Sequence, residues 1–186
     1  HLTVDTVLVA SHIVVALQQV ISRNKNPFSP SVLTISSIQG GYTTNVIPSE
    51  VKLMGTFRAM DETWRFQAHG LIQQICRGIA QGMGAEIDVL VDVGYPVVNN
   101  DEKLYHLVRG KAGEFAGNEN ILETEVRMGS EDFGYYTKEI PGCFYRLGVM
   151  NVARGITSGV HTPTFNIDES AIEKGMGMMA WIGACI

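Results

Sequence analysis

No surplus of positive charge runs through this sequence: 14 lysines and arginines stand against 19 aspartates and glutamates in 186 residues. Without a basic field nothing holds a phosphate backbone, which argues against nucleic acid as a partner. Cysteine is scarce too. Cys76, Cys143 and Cys185 are odd in number, widely spaced and free of any CxxC pair. They therefore form neither a disulfide framework nor a zinc knuckle, and a reducing, cytoplasmic setting is expected. Polar or charged residues interrupt every apolar stretch before the roughly 20 residues that span a bilayer, and no basic-then-apolar leader is visible, so no membrane partner is expected. Internal repeats and low-complexity tracts are missing as well. What is present, at 45% hydrophobic, suffices for one medium domain or parts of two. His1 stands first in place of Met and a helical pattern begins almost at once, which reads as a piece of a longer chain.

Along the chain, Val7, Ala10, Val14, Leu17 and Ile21, with Ile13 and Val20 widening the stripe, predict an amphipathic helix from Val4 to Arg23. Pro27 and Pro30 stop it. Two antiparallel strands are predicted over Val32 to Ile38 and Val51 to Phe57, separated by Gly40-Gly41 and the Asn45 to Pro48 turn. Asp61 then caps a helix bearing Ala68, Leu71, Ile72, Ile75 and Ile79, which Gly82 and Gly84 end. The alternation of Ile87, Val89, Val91 and Val93 predicts a third strand, closed by Pro96.

Helix, strand, strand, helix, strand is the order of a ferredoxin-like split βαβ unit without its first strand. Because that strand normally lies mid-sheet, its neighbours would be left with unpaired edges. A boundary is expected near Val97. Beyond it, Asn99-Asn-Asp101 opens a helix to about Gly117, a Gly- and aromatic-rich stretch covers Met128 to Gly159, and a last helix runs from about Asp168 to Cys185. Met176, Met178 and Met179 read as core filler there.

Three segments carry candidate chemistry. His161, in Gly159-Val-His161-Thr-Pro163, places an imidazole, a common zinc ligand, on a Gly/Pro-flanked loop that can hold it in fixed orientation, though an ordinary loop histidine looks the same. In Arg127-Met-Gly129-Ser-Glu131-Asp132-Phe133, glycine allows close backbone approach beside two carboxylates; equally, Ser130 is the N-cap of a short helix through Tyr136. In Gly40-Gly-Tyr-Thr-Thr-Asn45, followed by Arg58 at the end of the next strand, an amide donor suits an oxyanion and a guanidinium suits a carboxylate. A hairpin turn needs neither. His12, His69 and His106 lie within helices and read as packing or surface residues.

In this order, His1-Leu-Thr-Val-Asp-Thr, Asn45-Val-Ile-Pro-Ser-Glu50, Gly55-Thr-Phe-Arg58, Met128-Gly-Ser-Glu-Asp-Phe133 and His161-Thr-Pro163 resemble the aminoacylase and carboxypeptidase-G family of metallopeptidases. Within it they resemble the N-acyl-L-amino acid amidohydrolase branch, which includes hippurate and auxin-conjugate hydrolases. The resemblance implies an α/β protein in which residues 1–97 are part of a ferredoxin-like dimerisation lid and residues 98–186 the C-terminal part of an α/β zinc-peptidase catalytic domain. It implies metal-dependent hydrolysis of the amide bond of N-acyl amino acids by the intact protein, with two divalent ions, zinc before manganese or cobalt. His161 resembles a metal ligand, and His1 the lid histidine that crosses a homodimer interface to the scissile carbonyl. Asn45 resembles the amide beside it, Arg58 the carboxylate clamp, and Gly129 and Glu131 the pocket-lining loop. The family's Cys-x-His element, its paired glutamates with the general base, and another histidine ligand do not occur in these residues, so the isolated chain is expected to be inactive. The alternative is a non-catalytic dimerisation or binding module of the same fold.

Overall fold

The computed structural model describes residues 1–186, which divide into two compact units. The first comprises His1–Val97 with Arg127–Glu131, the second Val98–Val126 with Asp132–Ile186. Residues 127–131 thus belong with the first unit, although the chain has already left it at Val97.

The first unit begins with α1 (Thr6–Asn24), where the Asp5 side chain accepts from Leu8 N at 2.9 Å and so satisfies one free helix N–H. Its buried stripe is Val9, Ala10, Ile13, Leu17 and Val20. Val7, expected inside, is 42% exposed. The rest of the expected stripe is kept, with Ala10, Ile13, Leu17 and Val20 buried and Val14 and Ile21 half-buried; in the first turn Val9 is drawn inward instead of Val7. By length and composition α1 would also suffice to cross a membrane (mean hydropathy 1.3), which the sequence reading had not expected. Its buried stripe is instead used in the core.

An antiparallel hairpin follows, β1 (Ser31–Gln39) and β2 (Lys52–Ala59), with Ser31 opposite Ala59 and Gln39 opposite Lys52. The register slips by one residue between Ile35 and Ser37, a bulge that increases local twist. Gly55 lies opposite Ile35 there, and a Cβ at this point would run into Thr34 O and stand 2.9 Å from Ile35 Cδ1. Only glycine permits that approach. Leu33, Ile35, Leu53 and Phe57 face the core beneath α1 and α2 (Glu62–Gly82). Asp61 caps α2 through Trp64 N at 2.8 Å, and the buried Trp64 Nε1 donates to Ser31 Oγ at 3.1 Å.

The expected third strand does not form. From Ile87 to Val91 residues alternate between half-buried and exposed, and Ile87 and Val89 pack against the core, but the sheet has two strands only. Alternation makes one face apolar; a strand needs in addition a neighbour that completes its ladder, and none lies beside this segment.

In the second unit, α3 (Glu102–Ala116) is capped by Asp101, which accepts from Leu104 N at 2.8 Å, and ends at Gly117 with φ 88°. It packs on α5 (Ser170–Cys185) around Val108, Ala112 and Ile182. Met178 joins this core, whereas Met176 and Met179 are 65% and 67% exposed, so only one of the three methionines fills the interior. Between them, α4 (Phe133–Glu139) starts after Asp132 without a side-chain cap. Ser130 is therefore not its N-cap.

Candidate functional site

The hairpin sorts the candidate residues by its two ends. At the turn, Gly41 takes φ +75°, a conformation a side chain disfavours, and the loop is tied at its far side by Thr6 Oγ1, which donates to Pro48 O at 2.8 Å. The loop therefore shares one end of the unit with the start of α1. Residues 40–48 with Asp5 and Val7 surround an open hollow of about 710 Å³. Asn45 lies in its wall and is exposed, and so is His1, five residues ahead of the anchoring Thr6.

Arg58 stands at the other end, opposite Val32. Six residues of strand at about 3.4 Å each place it roughly 20 Å from Lys52, and Asn45 lies past Lys52. Arg58 Nη1 donates to Met128 O at 2.7 Å, bringing Gly129 and the half-buried Glu131 to the same end of the unit. One hydrogen bond leaves most of the five guanidinium donors for an incoming carboxylate. An N-acyl amino acid spans about 7 Å at about 3.5 Å per residue-like unit. One copy of the hairpin therefore cannot bring Asn45 and Arg58 to the same small molecule.

His161 lies on a braced loop of the second unit. Ser158 Oγ and Thr164 Oγ1 meet at 2.8 Å, Thr162 Oγ1 donates to Gly159 O at 2.8 Å, and Phe165 N to Thr162 O at 3.1 Å. His161 is the one non-glycine residue with positive φ, 66°, a conformation uncommon outside glycine and tolerated by histidine more than by most. Its imidazole is exposed and makes no hydrogen bond. An uncommitted imidazole on a fixed backbone suits a metal ion as a single donor. No three His, Cys, Asp or Glu side chains come together in this chain, so His161 is at most one member of a ligand set.

Two charged residues were not anticipated. Arg65 is 5% exposed; it forks onto Glu62 through Nε at 2.9 Å and Nη2 at 2.7 Å, and its Nη1 donates to Val93 O. Glu62 Oε1 also accepts from Val97 N at 3.0 Å, so the pair fastens the end of the extended segment to α2. Asp168 is 9% exposed. A hydrogen bond from Asn151, then the backbone N–H of Ser170, then Arg154 hold its carboxyl at about 2, below the ordinary 3.8. An acid that close to a helix start reads in sequence as a simple cap, which hid its other partners. His69 packs edge-on to Phe57 and Phe66 at 6.0 and 5.7 Å, and burial, reinforced by Arg65, lowers its pKa.

These features describe a mixed helix-and-sheet chain with polar loops in each of its two units. A profile of peptidase family M20/M25/M40 matches residues 4–182, and the chain belongs to this family. It is 39% identical over 173 residues to an N-acetyldiaminopimelate deacetylase of Exiguobacterium sibiricum, covering 92% of this chain and 45% of that protein. It is 35% identical to the IAA-amino acid hydrolase ILR1-like 4 of Arabidopsis thaliana, covering 96% of this chain and 41% of the relative. The crystal structure of a dinuclear metal-binding M20 peptidase of Bacillus subtilis superimposes with a TM-score of 0.71 at 26% identity, covering 98% of this chain and 48% of the other. The chain thus spans less than half the length of these relatives.

Proposed function

We propose that the complete protein hydrolyses the amide bond of N-acyl amino acids with two divalent metal ions, zinc first among them, as a cytoplasmic homodimer joined through residues 1–97. In this reading residues 98–186 are the C-terminal part of the catalytic domain. The names of the relatives, a deacetylase and an amino acid hydrolase, agree on an acylated amino acid as substrate. The M20 neighbour from Bacillus subtilis is dinuclear, and His161 is the donor this chain contributes to such a pair. Arg58 holds the substrate carboxylate by a forked contact, beside Gly129 and Glu131. His1 and Asn45 donate to the scissile carbonyl of the partner's substrate.

The observation that carries this reading is the placement of Asn45 and Arg58 at opposite ends of one hairpin. A two-fold axis turns that separation to use, because each copy supplies one end to its own substrate and the other end to its neighbour's. The test mixes two inactive full-length variants, His161→Ala and His1→Ala. In a mixed dimer one site keeps its own His161 and receives an intact His1, so turnover returns. Mixed dimers confirmed by mass without any recovery would overturn the proposal.

A further inference from the structure

The loop that presents His161 is closed at its base by one buried carboxylate. Asn151 and Ile156 exchange both backbone hydrogen bonds at 2.9 Å, which forms a small turn ahead of the loop. Asp168 lies where the loop returns, its backbone N–H donating to Val149 O at 2.9 Å. Both of its carboxylate oxygens are committed. Asn151 Nδ2 donates to Oδ2, while Oδ1 accepts from Arg154 Nη1 at 2.9 Å and from Ser170 N, the start of α5, at 3.2 Å. The residues from 157 to 167 therefore leave from and return to a single clasp, and that clasp is fixed to the last helix.

The side chain being presented has no brace of its own. Ser158, Thr162 and Thr164 are bonded back into the loop, while the His161 imidazole is not. A metal-binding imidazole is ordinarily oriented by a bond from its second nitrogen to a carboxylate or carbonyl. Within residues 1–186 it is the backbone that is held, at φ 66° for His161, and such a conformation persists only where its surroundings over-determine it.

We propose that Asp168 is a positioning residue for His161, acting through the loop base and not by touching the metal. This rests on the reading of His161 as a metal ligand. An amide at 168 keeps the shape but turns an NH2 toward one of the present donors, Asn151 Nδ2 or Arg154, so Asp168→Asn loosens the clasp without emptying it.

The experiment measures zinc retention by the full-length protein against a competing chelator. The variants are His161→Ala, Asp168→Asn and the double variant, with Ile182→Ala in the α3–α5 core as a control for lost stability. Asp168→Asn is expected to release one of the two zinc ions about 10- to 100-fold more readily, the usual effect of removing a group that orients a ligand. Ile182→Ala, compared at equal loss of Tm, is expected to keep both. The double variant should lose no more zinc than His161→Ala alone. Equal zinc retention by Asp168→Asn and Ile182→Ala, or additive losses in the double variant, would overturn the positioning role. Should His161→Ala itself keep both ions, the ligand reading fails first and takes this inference with it. Should Asp168→Asn not fold, Arg154→Ala decides, since its side chain is 59% exposed and its removal takes away one arm of the clasp. Weaker zinc retention in that variant supports the proposal, and wild-type retention overturns it.

Discussion

Arg58 reaches from the end of β2 to the carbonyl of Met128, at 2.7 Å across 70 residues of sequence. This bond joins a strand to a loop that returns after α3, and it aims the guanidinium. On the proposed reading, replacing Arg58 by Ala in the full-length protein should raise KM for substrates with a free carboxylate by about 10- to 150-fold, the equivalent of about 1.5–3 kcal/mol for a charge-assisted hydrogen bond. The corresponding amino acid esters should be nearly unaffected. Arg58→Lys keeps the charge without the fork and should recover only part of the loss. Steady-state kinetics on matched acid and ester pairs check this.

His161 offers a separation of stability from function. Glycine relieves the positive φ, alanine does not, and both remove the imidazole. His161→Gly should unfold at a urea concentration equal to or above wild type, with a gain of up to about 1 kcal/mol over His161→Ala. In the full-length protein neither variant should retain the proposed hydrolysis of N-acyl amino acids.

Gly55 is pressed against the bulge. Gly55→Ala should lower the urea midpoint by the equivalent of about 1–3 kcal/mol, because backbone must move to admit the methyl group. Gly129, where an added Cβ meets nothing within 4 Å, is the neutral comparison.

Glu62 and Arg65 make a directional prediction about the end of the first unit. Glu62→Ala leaves the buried guanidinium without its fork, a loss of about 3 kcal/mol, the lower end for a buried pair because Glu62 is partly in water. The Val97 amide, which donates to Glu62, should then exchange its hydrogen faster than amides within α1. Mass spectrometry of exchange resolves the two.

Asp168 ties stability to acid. Its folded pKa of about 2 lies below the ordinary 3.8, so the stability it contributes is complete above about pH 4 and disappears as pH falls through 2. Thermal unfolding of wild type and Asp168→Asn should therefore differ most above pH 4 and converge toward pH 2. A constant gap across that range would contradict the depressed carboxyl.

Helices and hairpin were legible because caps, prolines and spacing act locally: Asp61, Asp101 and Gly117 mark real ends. The segment from Ile87 to Val93 was misread because alternation reports a face and says nothing of a partner. The face of α1 was legible too, since Ala10, Ile13, Leu17 and Val20 of the expected stripe are buried; only the first turn differs, where Val9 and not Val7 turns inward. The motif order of the whole chain led to the family, yet Arg65 and Asp168 stayed hidden: besides Glu62 on its own helix Arg65 meets the far-off carbonyl of Val93, and Asp168 meets a distant asparagine and arginine. Local sequence encodes the Glu62–Arg65 pair but not the contacts with Val93, Asn151 and Arg154. The opposition of Asn45 and Arg58 follows from the pairing of Lys52 with Gln39 and Arg58 with Val32, which a hairpin over these strands already implies.

The length of that hairpin bears on how the protein responds to dilution. On the proposed reading a substrate is gripped by two copies at once, so the active species is present in proportion to the square of free subunit concentration once pairs begin to separate. Specific activity would then fall as the protein is thinned, and an inactive copy carrying intact His1 and Asn45 would act as an activator of a dilute sample. Strands that set Arg58 about 20 Å from Lys52 would in this way make the rate a gauge of how crowded the protein is.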